Sequence, residues 1–248
     1  MKFSDLIDDF YIKYVNSPVV RGLLLPFYRY YVRLTEGKNN NTIKESFDKY
    51  GLEAIGTFDK CLTNNDFPYI LAFGTMLGAV REHGFIKYDH DIDVIMWIED
   101  YSSTLIDILE GAGFKLVHSF TVDNDKCAKE DTFEYKGVQI DIFYFYPPIK
   151  GRSFPYCCDF HIQPGCRTRR QSVRQHGGLL PRRIELPLSK DIIRVPFDNL
   201  KLPIPSNADE FLKCRYGIDY MTPNPTWVNK VNDFIVVWSE KIAVYKEY

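Results

Sequence analysis

The chain has 248 residues, 45% of them hydrophobic, and a formal net charge of −2. That suffices for one sizeable core, or a core with a smaller lobe, and the near-neutral charge argues against a nucleic-acid binder. No run of 18 apolar residues exists, and Asp5, Asp8 and Asp9 break up the start, which argues against a transmembrane helix and a secretory leader. On that reading the protein is cytoplasmic and its six cysteines stay reduced.

Residues 2–35 are apolar and aromatic, with Pro18 and Pro26 dividing them into short helical pieces. The cluster of Leu23, Leu24, Leu25, Phe27, Tyr28, Tyr30 and Tyr31 suits a helical lobe packed on the core, or a peripheral membrane contact at the inner face. Residues 36–41, with three consecutive Asn, read as a surface loop. Thr42 and Glu45 then fit a capping box, opening a helix with Phe47, Tyr50, Ala54, Phe58 and Leu62 at helical spacing. Residues 69–73 read as a buried strand ended by a Gly74-Thr75 turn, and 76–82 as a short helix stopping at Gly84.

A second strand follows, in which Ile92, Val94 and Met96 alternate with Asp91, Asp93 and Ile95. Residues 102–109 suit a helix, 114–120 a strand, and 123–131 a polar loop. Residues 132–135 and 138–146 suit two strands joined at Lys136-Gly137. Residues 150–194 carry ten Lys/Arg against three Asp/Glu. A helix is expected from Ser206 or Asn207 to Tyr216-Gly217, and a last helix from Val228 with Phe234, Val237, Trp238 and Ile242 on one face.

The chemistry concentrates between Gly74 and Asp141. Residues two apart in a strand share a face, so Asp91 and Asp93 point the same way. Two adjacent carboxylates repel unless a cation lies between them, and Mg²⁺ takes such oxygen ligands. Asp141 lies in the apolar run Val138-Gln139-Ile140-Asp141-Ile142-Phe143-Tyr144, where a carboxylate is costly unless metal-bound or paired, for instance with an Arg. A glycine turn before a helix start suits a phosphate. A basic lobe holding Arg167, Arg169, Arg170 and Arg174 suits a diphosphate or an anionic acceptor, or is a solvated loop. Cys157, Cys158, His161 and Cys166 match no standard zinc spacing, so structural Zn²⁺ is not expected.

The run Gly74-Thr75-Met76-Leu77-Gly78-Ala79-Val80-Arg81, then Gly84-Phe85-Ile86, then Asp89-His90-Asp91-Ile92-Asp93, resembles the signature of the LicD/fukutin family within the DNA polymerase β-type nucleotidyltransferase superfamily. Where the family commonly has Ile-Pro-Trp-Asp, this chain has Ile86-Lys87-Tyr88-Asp89, a difference that bears on the acceptor side of the pocket. The segment from Tyr216 to Pro223 also resembles a C-terminal family feature, which extends the likeness from about Phe47 to Pro225. The resemblance implies a mixed α/β (α+β) nucleotidyltransferase-like core over residues 42–148, a helical extension over 1–41, and a basic, helical lobe over 149–248 that completes the substrate site.

It further implies transfer of phosphocholine, glycerol phosphate or ribitol phosphate from a CDP-linked donor to a sugar hydroxyl of a glycan or glycolipid, with CMP leaving. Such products occur in surface glycans such as lipopolysaccharide, capsule or teichoic acid. Asp91, Asp93 and Asp141 would hold Mg²⁺ or Mn²⁺, with Asp141 as second-metal ligand or proton acceptor. Gly74, Thr75 and Arg81 would hold donor phosphate, and Asp89 and Lys87 would support the site. The same acids would serve a nucleotidyltransferase using an NTP, or a sugar transferase in which Asp91-Ile92-Asp93 is a metal-binding pair. A calcium loop through Asp89, Asp91, Asp93 and Asp100 fails because Val94 stands where that loop needs glycine. An inactive scaffold is disfavoured by the presence of all three acids.

Overall fold

The computed structural model describes residues 25–224 and 234–248, with residues 25–41 by backbone alone. The chain divides into two units, Met1–Asp48 and Lys49–Tyr248. Helix α1 (Leu25–Asn64) runs through residues 36–45 without a break, so the expected loop and capping box there are not a helix start. Thr and Glu three residues apart are tolerated inside a helix, and local propensity is a weak guide once a helix is established. Pro26 falls in the first turn, where its missing N–H costs nothing. The expected membrane-touching surface over residues 2–35 lies outside the residues described with side chains. Among the described residues, no helix is long and apolar enough to cross a membrane.

The second unit is a mixed α/β fold. Its main sheet has six strands in the order β1-β2-β5-β4-β3-β11. These are β1 (Ile70–Leu71), β2 (Asp91–Trp97), β3 (Lys115–Val122), β4 (Ala128–Tyr135), β5 (Val138–Phe145) and β11 (Val244–Glu247). Among the described residues of this sheet, only β2 and β5 run parallel; the other pairings are antiparallel. Two helices interrupt the strands, α2 (Phe73–Arg81) and α3 (Thr104–Gly111). Alternation places Ile92, Val94, Met96, Ile140 and Ile142 on one face, all buried. Phe58 of α1 meets Tyr69 and Phe114 edge-on at 5.2 and 5.8 Å, and the Cys61 thiol donates to the Ile108 carbonyl (3.5 Å), tying α1 to α3.

The remaining residues build a three-stranded sheet from β6 (Tyr156–His161), β7 (Leu180–Glu185) and β10 (Ile235–Val237), in the order β10-β7-β6. They also form a hairpin of β8 (Ile192–Phe197) and β9 (Leu200–Pro205), and helices α4 (Arg169–His176) and α5 (Ala208–Tyr216). The expected final helix is absent among the described residues: Ile235–Val237 pairs with β7, and Val244–Glu247 forms the edge of the main sheet beside β3. The β-branched runs there favour strands, and the four-residue spacing of Phe234, Trp238 and Ile242 is coincidental.

Two further expectations give way at the site itself. The strand expected over 69–73 is only Ile70–Leu71, and Gly74 and Thr75 lie inside the first turn of α2 instead of forming a turn before it. Ala72 stays extended and donates its N–H to the Asp93 carbonyl (2.9 Å). Phe73 then turns the chain with φ of 37°, a strained value for an aromatic residue. Its ring is held edge-on to Phe143 at 4.9 Å, with Phe211 at 6.1 Å. The other expectation concerns residues 123–131. The loop ends at residue 127, and Ala128–Tyr135 is one strand in which Lys129, Glu130, Asp131 and Thr132 are all buried.

Candidate active site

The parallel register of β2 and β5 sets Asp93 directly beside Asp141, and Asp91 beside Gln139. Asp91, Asp93 and Asp141 each bring a carboxylate oxygen within 4.8 Å of the other two. This is the one such group of three or more His, Cys, Asp or Glu among the described residues. Burial, then Asp91, Asp141 and Asp89, push the Asp93 carboxyl well above its ordinary range, against the pull of Arg215. Asp141 is pushed up to about 6, chiefly by burial and against a hydrogen bond from Thr132. Burial also raises Asp91, with His90 opposing. Asp89 reaches about 7 through burial and the charges of Asp91 and Glu82, with Arg81 opposing. Carboxylates crowded at this spacing hold each other neutral unless a cation intervenes. An all-oxygen donor set suits a hard divalent cation rather than zinc or copper.

The glycine-rich helix serves this centre through its backbone. The Thr75 hydroxyl, 1% exposed, accepts the Asp93 N–H (2.9 Å) and so locks α2 onto the acid strand. A Cβ on Gly74 would stand 3.1 Å from the Asp89 carboxylate, so glycine lets that carboxylate lie against the helix start. A Cβ on Gly78 would meet the Gly84 carbonyl at 2.4 Å, which fixes the spacing of the two glycines. Arg81 pairs with Glu82 (2.7 Å) and donates to the Tyr220 carbonyl (3.4 Å).

A cleft of ≈ 760 Å³ opens beside Asp89 and the start of α2; Asp91, Asp93 and Asp141 do not line it. Gly74, Arg81, Lys87 and Asp89 line it together with Tyr88, Tyr216 and Tyr220. Lys87 lies 5.9 Å from the Tyr88 ring. The segment following α5, flagged in the sequence from Tyr216 to Pro223, supplies the opposite wall.

Of the four basic-lobe arginines, Arg169 opposes the rise of Asp141 and Glu130 that burial causes. Its guanidinium lies over the Phe120 ring at 5.2 Å and near Tyr245 at 5.7 Å. The expected basic loop is therefore partly a helix: Thr168 caps α4 by accepting the Gln171 N–H, and Gly177 ends it in the left-handed region. Arg167 precedes α4, while Arg170 and Arg174 lie on it with Arg169, and all four are exposed. Arg182 and Arg183 are engaged within the small sheet by Asp159 and Glu185. The cysteine set does not assemble. Cys157 and Cys158 are successive on β6 and face opposite ways, His161 pairs with Asp159 (3.2 Å), and the Cys166 thiol donates to Gln175 (3.5 Å).

Several site residues escaped the sequence. Arg215, on the last turn of α5, lies over Phe73 at 5.3 Å and draws Asp93 downward. Thr132 donates to Asp141, and Glu130 sits buried on the same face. A signal for Glu130 existed: across the Lys136-Gly137 turn, an eight-residue β5 calls for an eight-residue partner, which begins at Ala128. For Arg215 no comparable signal exists beyond its place before Tyr216-Gly217.

The family described as LicD/FKTN/FKRP, nucleotidyltransferase domain, matches residues 66–207. The chain is similar to the ribitol-5-phosphate transferase FKTN of Homo sapiens, 27% identical over 191 residues that cover 76% of this chain and 37% of that protein. The Macaca fascicularis protein of the same name matches at the same identity and coverage. The lipopolysaccharide cholinephosphotransferase LicD of Haemophilus influenzae is 34% identical over 117 residues, 46% of this chain and 42% of that protein. The matched stretch thus spans well under half the length of each of these relatives.

Proposed function

The chain belongs to the LicD/FKTN/FKRP nucleotidyltransferase-domain family, and from that premise we propose that it moves a phospho-alcohol group from a CDP-linked donor to a glycan hydroxyl, with CMP leaving. The observation that carries this reading is the convergence of Asp91, Asp93 and Asp141, with Asp89, two residues before Asp91, lining a cleft large enough for a nucleotide-linked donor. Mg²⁺ or Mn²⁺ held by these three carboxylates would supply the neutralisation of phosphate oxygens that phosphoryl transfer requires.

The chain's own residues do the rest. Arg81 and Lys87 bring positive charge for the donor phosphates to the cleft that Gly74 also lines, while the Asp89 carboxylate, not phosphate, lies where Gly74 has no Cβ. Tyr216 and Tyr220 offer flat walls for the nucleoside. Arg169, steadied on Phe120, and Arg215, steadied on Phe73, bring positive charge from the two sides of the acid face. The acceptor oxygen bonds to the phosphorus that bears the alcohol, and the bond from that phosphorus to the CMP oxygen breaks. The hydroxyl proton leaves to a carboxylate of the acid set.

Thermal denaturation with Mg²⁺ tests the donor. CDP-ribitol and CDP-choline come first, because the relatives' names specify ribitol phosphate and choline phosphate; CDP-glycerol, CTP and a UDP-sugar complete the panel. A ligand at 100 times its Kd stabilises by about 2.7 kcal/mol, which raises Tm by a few degrees. We expect that rise with one CDP-alcohol, and its loss in Asp91→Asn. A rise with CTP alone, accompanied by pyrophosphate release in turnover, would replace this reading with a nucleotidyltransferase.

A further inference from the structure

Strand register sets Thr132 opposite Asp141 and His118 opposite Thr132, all on the face that carries Asp91 and Asp93. The Thr132 hydroxyl donates to Asp141 Oδ1 and lies 2.9 Å from His118 Nε2. A hydroxyl has one hydrogen to give. With that hydrogen committed to a carboxylate, Nε2 must carry its own and donate to Thr132 Oγ1, which sets the imidazole tautomer. The order is therefore His118 to Thr132 to Asp141.

Nothing in this line is loose. Thr132 is 1% exposed and His118 8%. The imidazole stands edge-on to Phe120 at 5.1 Å and tilted to Tyr245 at 5.8 Å. Two polar side chains buried in adjacent strands, where Val or Ile would pack without a desolvation cost, contribute little to stability alone. What they do contribute is direction. Asp141 sits beside Asp93 in the register, and mutual repulsion favours rotamers that swing one carboxylate away. A charge-assisted hydrogen bond from a fixed hydroxyl opposes that swing.

We propose that Thr132 and His118 are positioning residues: they hold Asp141 in one rotamer, with Oδ1 turned into the sheet and Oδ2 left for a divalent cation shared with Asp91 and Asp93. The inference rests on the reading of those acids as a metal centre.

Mn²⁺ titration of the full chain, followed by the loss of the free-ion paramagnetic signal, tests it without any substrate. Thr132→Val should weaken Mn²⁺ binding per folded molecule by about 10- to 100-fold, the usual cost of losing a partner that orients a metal ligand, and should also lower the metal-free Tm, because the buried His118 N–H loses its acceptor. Thr132→Ser keeps the hydroxyl and should stay within about threefold of the native affinity. His118→Phe leaves the Thr132 bond in place and should weaken binding less than Thr132→Val does. Native affinity in Thr132→Val overturns the proposal; should that variant not fold, native affinity in His118→Phe does. Asp141→Asn separates the two levels. Binding lost there but unchanged in Thr132→Val defeats only the positioning role, whereas binding unchanged in Asp141→Asn defeats the metal centre itself.

Discussion

Strands β4 and β5 bury polar groups on both of their faces, and the two faces treat charge in opposite ways. On one, Lys129 donates to Asp131 Oδ1 (3.0 Å) and the Tyr144 hydroxyl donates to Asp131 Oδ2 (3.0 Å). Both carboxylate oxygens have a donor, and a cation sits beside them. On the other, Asp141 faces Asp93 and Asp91 with one hydroxyl donor, and Arg169 and Arg215 act on the acids without offsetting burial and like charge. The first cluster is complete within the chain. The second keeps its carboxyls raised despite Arg169 and Arg215 and is compensated only when a further positive charge arrives, and that difference marks a binding centre more surely than burial or acidity does.

Breaking the compensated cluster should have the largest effect on stability. Lys129 and Asp131 have side chains only 6% and 1% exposed. Lys129→Met leaves a buried carboxylate uncompensated and should cost about 3–5 kcal/mol in urea unfolding, with metal binding per folded molecule unchanged. A loss near that of an exposed ion pair would show that water reaches the pair. Asp93→Asn should do the reverse. Turnover, measured as CMP release, should drop by about 10²- to 10³-fold, the scale of losing one electrostatic contact to the transition state. The metal-free Tm should hold or rise, because a repelling charge is gone. Near-native turnover would remove Asp93 from the centre.

The smallest effect is on pH dependence. Asp141 lies at about 6 and Asp89 at about 7, both raised. Between the ordinary carboxylate range and those values the native metal-free chain holds protons that the unfolded chain has released. Their stabilising contribution is complete below about pH 4 and is lost as pH rises through about 6 to 7. The Tm of the metal-free native protein, relative to Asp141→Asn, should therefore fall between about pH 4 and about pH 6.5 and level off above, and saturating Mg²⁺ should flatten the trend. A difference that is flat without metal would mean that Asp141 is not crowded.

Much of the centre was legible because its signals are local. The two-residue period of a strand puts Asp91 and Asp93 on one face whatever the partner strand is. Gly74 and Gly78 mark close backbone approaches, and Lys136-Gly137 marks a tight turn whose residues take φ of 51° and 82°. The segment from Tyr216 to Pro223 announced a feature, and it walls the cleft. What misled was also local. The charged stretch before Thr132 has the composition of a loop, yet Lys129 and Asp131 neutralise each other inside a strand. Phe234, Trp238 and Ile242 keep helical spacing in a segment that pairs as strands.

By itself the sequence determined the family, the mixed α/β class and the acids that share a strand face, since each depends on neighbours within a few positions. Only the tertiary structure decided that β5 lies parallel to β2 in the register that sets Asp141 beside Asp93. It alone brought Arg169 and Arg215 toward the acids and placed His118 behind Thr132. Strand partners, and helices that cross a sheet face, are chosen by the burial of surfaces far apart in the chain, and no short window of sequence contains that competition.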